Sequence, residues 1–300
     1  MEVLYLETVI YIGNESMQLV SGERKGDKLV IDAFAETSIP DGTVLNGVII
    51  GEYQFRNALI SLLNEFPDMM DRGVKLVIGG TQLQTHVTDA PKLKDKDMMK
   101  WIEGEFTSVF DEEDEYIYDY RMLGSSDVDR RAVVCLVKKE LIGTYINIFA
   151  DEGIEIESIT SGLDCQIKLM EFLPETRNDS FILLMIDASN LYSCIYIDGE
   201  FRVSDVKRIF SERGTPELST EVERIVSNLI QFAYSEGYAE KLHKVILCGC
   251  RRDETVIFKN ISERFSIKAD ILRSDEEIIE TRTELPFRLD KYAFAAGGLI

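Results

Sequence analysis

The chain has 300 residues, 45% of them apolar and 29% charged, and a formal net charge of −21. That is enough for two domains with full cores. Its 54 acidic against 33 basic residues exclude a surface built to grip nucleic-acid phosphates or anionic lipid at large.

The opening MEVLYLETVI has no basic segment ahead of its apolar residues, so it reads as a first strand and not as a secretory signal. Strands over Val3–Ile12, Met17–Val20 and Lys28–Phe34, with turns at Gly13-Asn14 and Gly22-Glu23, predict an antiparallel meander. Asp41-Gly42 and Asn46-Gly47 mark two further turns. A helix is expected over Gln54–Phe66, with Leu59, Ile60, Leu62 and Leu63 on one side and Pro67 as its stop. Val74–Ile78 reads as a short buried strand ending in Gly79-Gly80.

Composition then shifts. Thr81–Ala90 is polar and Pro91 marks a boundary. From Asp95 an amphipathic helix places Met98, Met99, Trp101, Ile102, Phe106 and Val109 on one face, closed by the acidic run Asp111–Glu115. Strand-like Tyr116–Met122, a turn over Gly124–Arg130, the apolar strand Ala132–Val137 and a helix over Lys138–Asp151 follow. Residues 91–151 thus form a helix–strand–strand–helix block of their own, a small inserted subdomain. Ile154–Ile159 alternates as a half-exposed strand, and Leu163–Phe172 reads as a helix before Pro174.

A second strand–turn–strand unit begins at Phe181: strands Phe181–Ile186, Tyr192–Ile197 and Phe201–Arg208, joined by a turn opening on Asp187 and by the hairpin pair Asp198-Gly199. The clearest helix spans Pro216–Tyr238, with Thr215 as cap, Pro216 at its first position, and Val222, Ile225, Val226, Leu229, Ile230 and Ala233 as its apolar stripe. The strand Lys244–Cys248 ends at Gly249. A helix over Arg252–Arg264, a strand over Ser266–Ile271 and a small-residue helix over Phe287–Ile300 complete the chain. The Phe181–Ile197 unit repeats the shape of Glu7–Val20 about 170 residues earlier, which implies two related halves.

No segment has the chemistry of a hydrolase triad, and neither His86 nor His243 lies in a nucleophile motif. Cys135, Cys165, Cys194, Cys248 and Cys250 are odd in number and sit within apolar strands, as reduced, buried cytosolic thiols do. Cys248-x-Cys250 lacks the second pair or the histidines of a zinc site. Asp111–Glu115 reads as a solvated loop, and Trp101 as a core residue.

The order of elements, with the segments PKLKDKDMMKWIEGEF, YDYRMLG and AVVCLVKKELIGTYINIFADEGIEIESI, resembles the actin-like ATPase superfamily over nearly the whole chain, and within it the PilM family of type IV pilus machines. The related FtsA family carries a membrane-binding amphipathic helix after its core, and none is expected here. The resemblance implies an α/β, actin-like (ribonuclease-H-like) two-lobed fold. Residues 1–90 and 152–178 would form the first lobe, 91–151 the inserted subdomain and 179–300 the second lobe.

In that superfamily the backbone of two Gly-rich turns cradles the phosphates of ATP, where side chains would block approach, and an acidic residue in each turn serves Mg2+. Carried over residue by residue, the nucleotide positions are Gly13, Asn14, Glu15, Ser16, Asp187, Ser189, Asn190 and Gly249, with Asp187 toward the metal. Each motif departs from the pattern. Tyr11 stands where the first turn has Asp, Ser189 replaces a glycine, Leu191-Tyr192 replace small residues, and Cys248-Gly249-Cys250 keeps one glycine of the adenosine-side turn. ATP with Mg2+, or no ligand at all, are both open.

The resemblance therefore implies a cytoplasmic scaffold, peripheral to the inner membrane face, that holds the cytoplasmic tail of a PilN-like membrane protein and assembles into a ring or filament, with degenerate nucleotide turns. It would have no catalytic residues, no nucleic-acid partner and no membrane insertion of its own. An active ATPase or kinase of the same superfamily, and an FtsA-like division scaffold, are the alternatives.

Overall fold

In the computed structural model, residues 6–66, 73–106, 115–124, 130–273 and 275–300 are described. The chain opens with strands β1 (Glu7–Ile12), β2 (Ser16–Lys25) and β3 (Lys28–Ser38), the short pair β4 (Val44–Leu45) and β5 (Val48–Ile49), and helix α1 (Glu52–Asn64). It continues through β6 (Val74–Ile78), β7 (Gln84–Asp89), α2 (Asp95–Phe106), β8 (Tyr116–Leu123), β9 (Arg131–Lys138), α3 (Lys139–Asp151), β10 (Ile156–Ser161) and α4 (Gly162–Phe172). The remainder is β11 (Phe181–Asp187), β12 (Asn190–Ile197), β13 (Glu200–Arg208), α5 (Pro216–Ser235), β14 (Lys244–Cys248), α6 (Val256–Phe265), β15 (Lys268–Ile271), β16 (Ile279–Thr281) and α7 (Ala293–Gly297). The strands fall into sheets ordered β10-β6-β1-β2-β3-β16, β13-β12-β11-β14-β15, β7-β9-β8 and β4-β5. The α/β class expected from the sequence is the one observed.

The chain divides into two compact units, one holding the described residues of Met1–Val9, Gln18–Ala35 and Cys165–Ile300, the other those of Ile10–Met17 and Glu36–Asp164. In the second of these, α2 covers the three-stranded sheet: Met98, Ile102 and Phe106 close over Ala132, Val134 and Leu136, with Trp101 partly buried beside them. Alternation along β9 sends these three residues to one face. The stretch Thr81–Ala90, read from sequence only as polar ahead of a boundary at Pro91, supplies β7, which pairs with β9 so that His86 faces Val134. An edge strand with one neighbour tolerates Gln, Thr and Asp, so hydrophobic content does not reveal it. In α1 the buried stripe is Phe55, Ala58, Leu59, Leu62 and Leu63, whereas Ile60 is 40% exposed. Arg56 binds Glu52, Asp151 and Glu152, which fastens α1 to the end of α3. Beside it Phe55 and Tyr145 meet edge-on, and the buried Tyr145 hydroxyl donates to Gly47 O at 2.8 Å. The expected residues Pro67, Val109 and Asp111–Asp114 lie outside the described residues.

In the first unit, β11 and β14 are flanked on both sides in their sheet and carry near-continuous apolar runs, as doubly covered parallel strands require. Their core includes Ile182, Leu184, Ile186, Val245 and Leu247 against Val222, Ile225 and Val226 of α5. The Asp198-Gly199 turn has φ of 54° and 79°, the left-handed pair of a tight hairpin. Helix α5 ends where Gly237 takes φ 75° and Tyr238 N returns to Ala233 O, three residues short of the expected end. Thr215 stands at the N-cap as expected, but its hydroxyl donates to Glu212 O instead of capping.

Two differences from expectation have local causes. The terminal helix is only Ala293–Gly297, because the chain before it stays irregular to stack Phe287 on Tyr292 and set both edge-on to Phe34. Strand β16, three residues long, was not anticipated; it pairs in parallel with β3 from Leu29 to Ile31. Too few residues are involved for periodicity to show.

Leu136→Ala is expected to lower the unfolding free energy by about 2–5 kcal/mol through cavity formation. Ile60→Ala on the exposed side of α1 should stay within about 0.5 kcal/mol. Urea unfolding of the two variants checks the contrast.

Candidate functional site

The first turn lies between β1 and β2. Gly13 N donates to Ser16 O at 2.9 Å, and Glu15 O accepts from Ile39 N at 2.8 Å. Asn14 Oδ1 accepts from Asn46 N at 2.9 Å. Ile12 O accepts from Gly79 N at 3.2 Å. The partner segments interlock. Gly80 has φ 114°, and a Cβ on it would lie 2.3 Å from Asn46 C and 2.6 Å from Gly47 N. The sequence signals Asn46-Gly47 and Gly79-Gly80 are thus one structural feature, a close backbone approach that fixes the turn from below. Glu15 is exposed. Tyr11, where the resemblance would place a carboxylate, is 1% exposed and belongs to the core.

The second turn joins β11 to β12, with Asp187 opposite Asn190 and Ala188-Ser189 as its two turn residues. Ala188 takes φ 54°, a left-handed conformation that costs a non-glycine residue roughly 1–2 kcal/mol. Ser189 O accepts from Ile209 N at 2.7 Å. Asp187 is half-buried at the strand end. Asn190 is 4% exposed and its Nδ2 has no hydrogen-bond partner among the described residues. Leu191 and Tyr192, read from sequence as bulk in the turn, do not fill it. Leu191 is fully buried in the core beside Ile186 and Ile209, and the Tyr192 ring meets Phe294 edge-on at 5.3 Å.

In the same unit Gly249 takes φ 71°, and a Cβ on it would lie 2.0 Å from Ile186 O. Its N–H donates to Asp290 O at 2.9 Å, and its carbonyl accepts from Arg213 Nη2 at 2.8 Å. Arg213 also pairs with Glu254 through both carboxylate oxygens, at 2.6 and 2.7 Å. Glu254, 1% exposed, accepts further from Gly214 N and Arg251 N. Burial pushes its carboxyl up, but the Arg213 guanidinium and these backbone donors hold it below the ordinary carboxylate value. The spacing Arg251-x-x-Glu254, a capping-box spacing, was the available sequence signal for this node.

Burial drives the Cys250 thiol up to about 12 and that of Cys248 well above its ordinary value, so neither is a ready thiolate ligand. Among the described residues no group of three or more His, Cys, Asp or Glu side chains could hold a metal ion.

These sheets, turns and helices form the actin-like ATPase fold. No protein-family model matches the sequence, and no curated protein matches it either. Among solved structures, the chain resembles one titled as the PilM–PilN type IV pilus biogenesis complex, at a TM-score of 0.74 and 15% identity over 100% of this chain and 98% of that one. A Bacteroides thetaiotaomicron protein of actin-like ATPase fold matches at 0.56 and 8% identity, over 89% and 90% of the two chains. The cytoplasmic domain of EpsL, an inner-membrane component of the Vibrio cholerae type II secretion system, matches at 0.52 and 9%, over 98% and 94%.

Gly249→Ala is expected to destabilise strongly, by more than about 2 kcal/mol, since both φ and Ile186 O oppose a side chain; Gly237→Ala, at φ 75° with open space around it, should cost roughly 1 kcal/mol. Differential thermal unfolding compares them. Because the folded-state value of Glu254 lies below 4.5, its contribution is complete above about pH 4.5 and is lost as pH falls through that depressed value. Glu254→Gln should therefore be less stable than the parent at neutral pH, by about 3 kcal/mol. The gap should close on acidification in a urea-unfolding series.

Proposed function

We propose that this chain is a scaffold of a type IV pilus-like assembly machine, holding the cytoplasmic tail of a PilN-like membrane-anchored partner. The observation that carries this reading is the end-to-end structural likeness to PilM from its complex with PilN. In this reading residues 1–90 with 152–178, 91–151 and 179–300 act as first lobe, inserted subdomain and second lobe. The protein works at the cytoplasmic face of the membrane, brought there by its partner and self-assembling into a ring or filament. No helix among the described residues is long and apolar enough to cross a membrane.

The unit that contains the small sheet also exposes Leu45, Ile50 and Tyr53, at 53%, 63% and 74%, within one short stretch from β4 to the first turn of α1. In a chain of charge −21 such apolar side chains suit a tail that is apolar and basic.

Hydrolysis of ATP is not part of the proposal. Tyr11 takes a carboxylate's place and lies in the core, and the amide and carbonyl of Gly249 and the side-chain oxygen of Asn14 are all engaged within the protein. These residues do not fit a site that must hold metal and position water. A second reading, a nucleotide kept as a structural ligand at Gly13–Ser16, Asp187, Ser189, Asn190 and Gly249, draws on the buried donor Asn190 Nδ2 and its want of an acceptor.

The test is capture of the cytoplasmic tails of the host's own membrane-anchored pilus components by the purified chain. One tail should bind, and Ile50→Asp with Tyr53→Ala should weaken it by about tenfold, ~1.4 kcal/mol. Failure of every such tail to bind would remove the scaffold reading.

A further inference from the structure

The unit that holds α5 carries a groove of about 570 Å³, in the size range of pockets that hold small ligands or a short stretch of peptide. Its walls are the loop after β13, one face of α5 and the end of α6, and they include Phe210, Thr220, Glu221, Arg224 and Arg264. The loop is built to show its aromatic ring. Ile209 is buried in the core, and the backbone N–H groups of Phe210 and Ser211 donate to the Glu221 carboxylate at 3.0–3.2 Å. With its backbone tied down, Phe210 projects outward at 82% exposure, and the Arg208 guanidinium lies 5.8 Å from its ring centroid.

Charge on this surface is sorted by depth. Glu221 and Glu223 are each 9% exposed and are engaged inward, Glu221 with the loop amides and Glu223 with Arg264 and Ser219. Arg208 and Arg224 are exposed, and the Arg264 side chain is 56% exposed. Glu217, at the first turn of α5, is the one exposed carboxylate of the lining. A chain with 54 acidic residues thus offers, around one exposed phenylalanine, Arg208 and Arg224 turned to solvent, with Arg264 paired to Glu223 at the edge. Arginine forks recognise carboxylates in pairs of hydrogen bonds, and arginine with an aromatic residue is the combination that dominates interface energies.

We propose that this groove docks an acidic peptide segment of a partner protein, with one apolar side chain of the peptide set against Phe210 and its carboxylates on Arg224 in the groove and on Arg208 beside Phe210. This surface belongs to a different unit from the apolar stretch assigned above to a basic tail, and the inference does not rest on that assignment. The two surfaces select opposite charges, so one chain can hold two partners without competition between them.

The probe is an array of heptapeptides, each with several Asp or Glu and a single Phe, Leu or Trp, beside an array with Lys in place of every acid. The full chain should bind members of the acidic array and none of the lysine array, and binding should weaken as salt rises from about 0.05 M to 0.5 M. Phe210→Ala and Arg224→Glu, both at exposed positions, should each reduce binding of the best peptide about tenfold, with the thermal transition unchanged. Absence of acidic-array binding, equal binding of the lysine array, or affinity indifferent to both substitutions would overturn the proposal. So would a Phe210-dependent dimer in sedimentation with no peptide binding, since the occupant would then be a second copy of the chain.

Discussion

Arg213 and Glu254 form a buried, two-pronged ion pair on which three segments converge. Arg213 and Gly214 come from the loop before α5, Gly249 from the end of β14, and Arg251 from the turn into α6. Removing either partner would leave a charge uncompensated in a dry site, at a cost of roughly 3–5 kcal/mol. The pair therefore ties the entries to α5 and α6 to the end of β14. It also occupies the carbonyl of Gly249. The other unit follows the same logic with neutral groups: Asn14 is held by the Asn46 amide, and Gly80 admits the backbone of Asn46 and Gly47.

Asn14 and Gly249 are thereby engaged within the protein's own structure. Position 249 requires glycine because Ile186 O lies where a side chain would be, a reason that holds with or without a ligand. Positions 47 and 80 require glycine for the same kind of reason. A motif can outlive its chemistry when the residues that shape the turn also shape the core. In the reading proposed above, a frame of ATPase type serves as a scaffold whose affinity lies on exposed apolar and arginine-bearing surfaces.

Much of this was legible in the sequence. Long apolar strands such as Phe181–Ile186 and Ala132–Val137, the Asp198-Gly199 hairpin and the amphipathic stripe of α5 stand where periodicity and turn chemistry put them. What escaped was set by pairing and packing across distance. Strand β7 is polar because it is an edge, β16 is too short to carry a pattern, and the Phe287 segment gives up helix to stack against Phe34. At the candidate site, the positions of the turns were readable, but the direction of the side chains was not. Leu191 and Tyr192 looked like obstruction and belong to the core and to a ring contact with Phe294. The ion pair of Arg213 with Glu254 and the orphan amide of Asn190 depend on which groups meet, and spacing does not specify that.

The central claim is that the actin-like frame here supports binding and not turnover. The most direct measurement is phosphate release from ATP by the purified chain with Mg2+ in excess, for the parent and for Asp187→Ala. The account predicts release at the rate of the protein-free control for both. Steady Mg2+-dependent release by the parent, lost in Asp187→Ala, would contradict it.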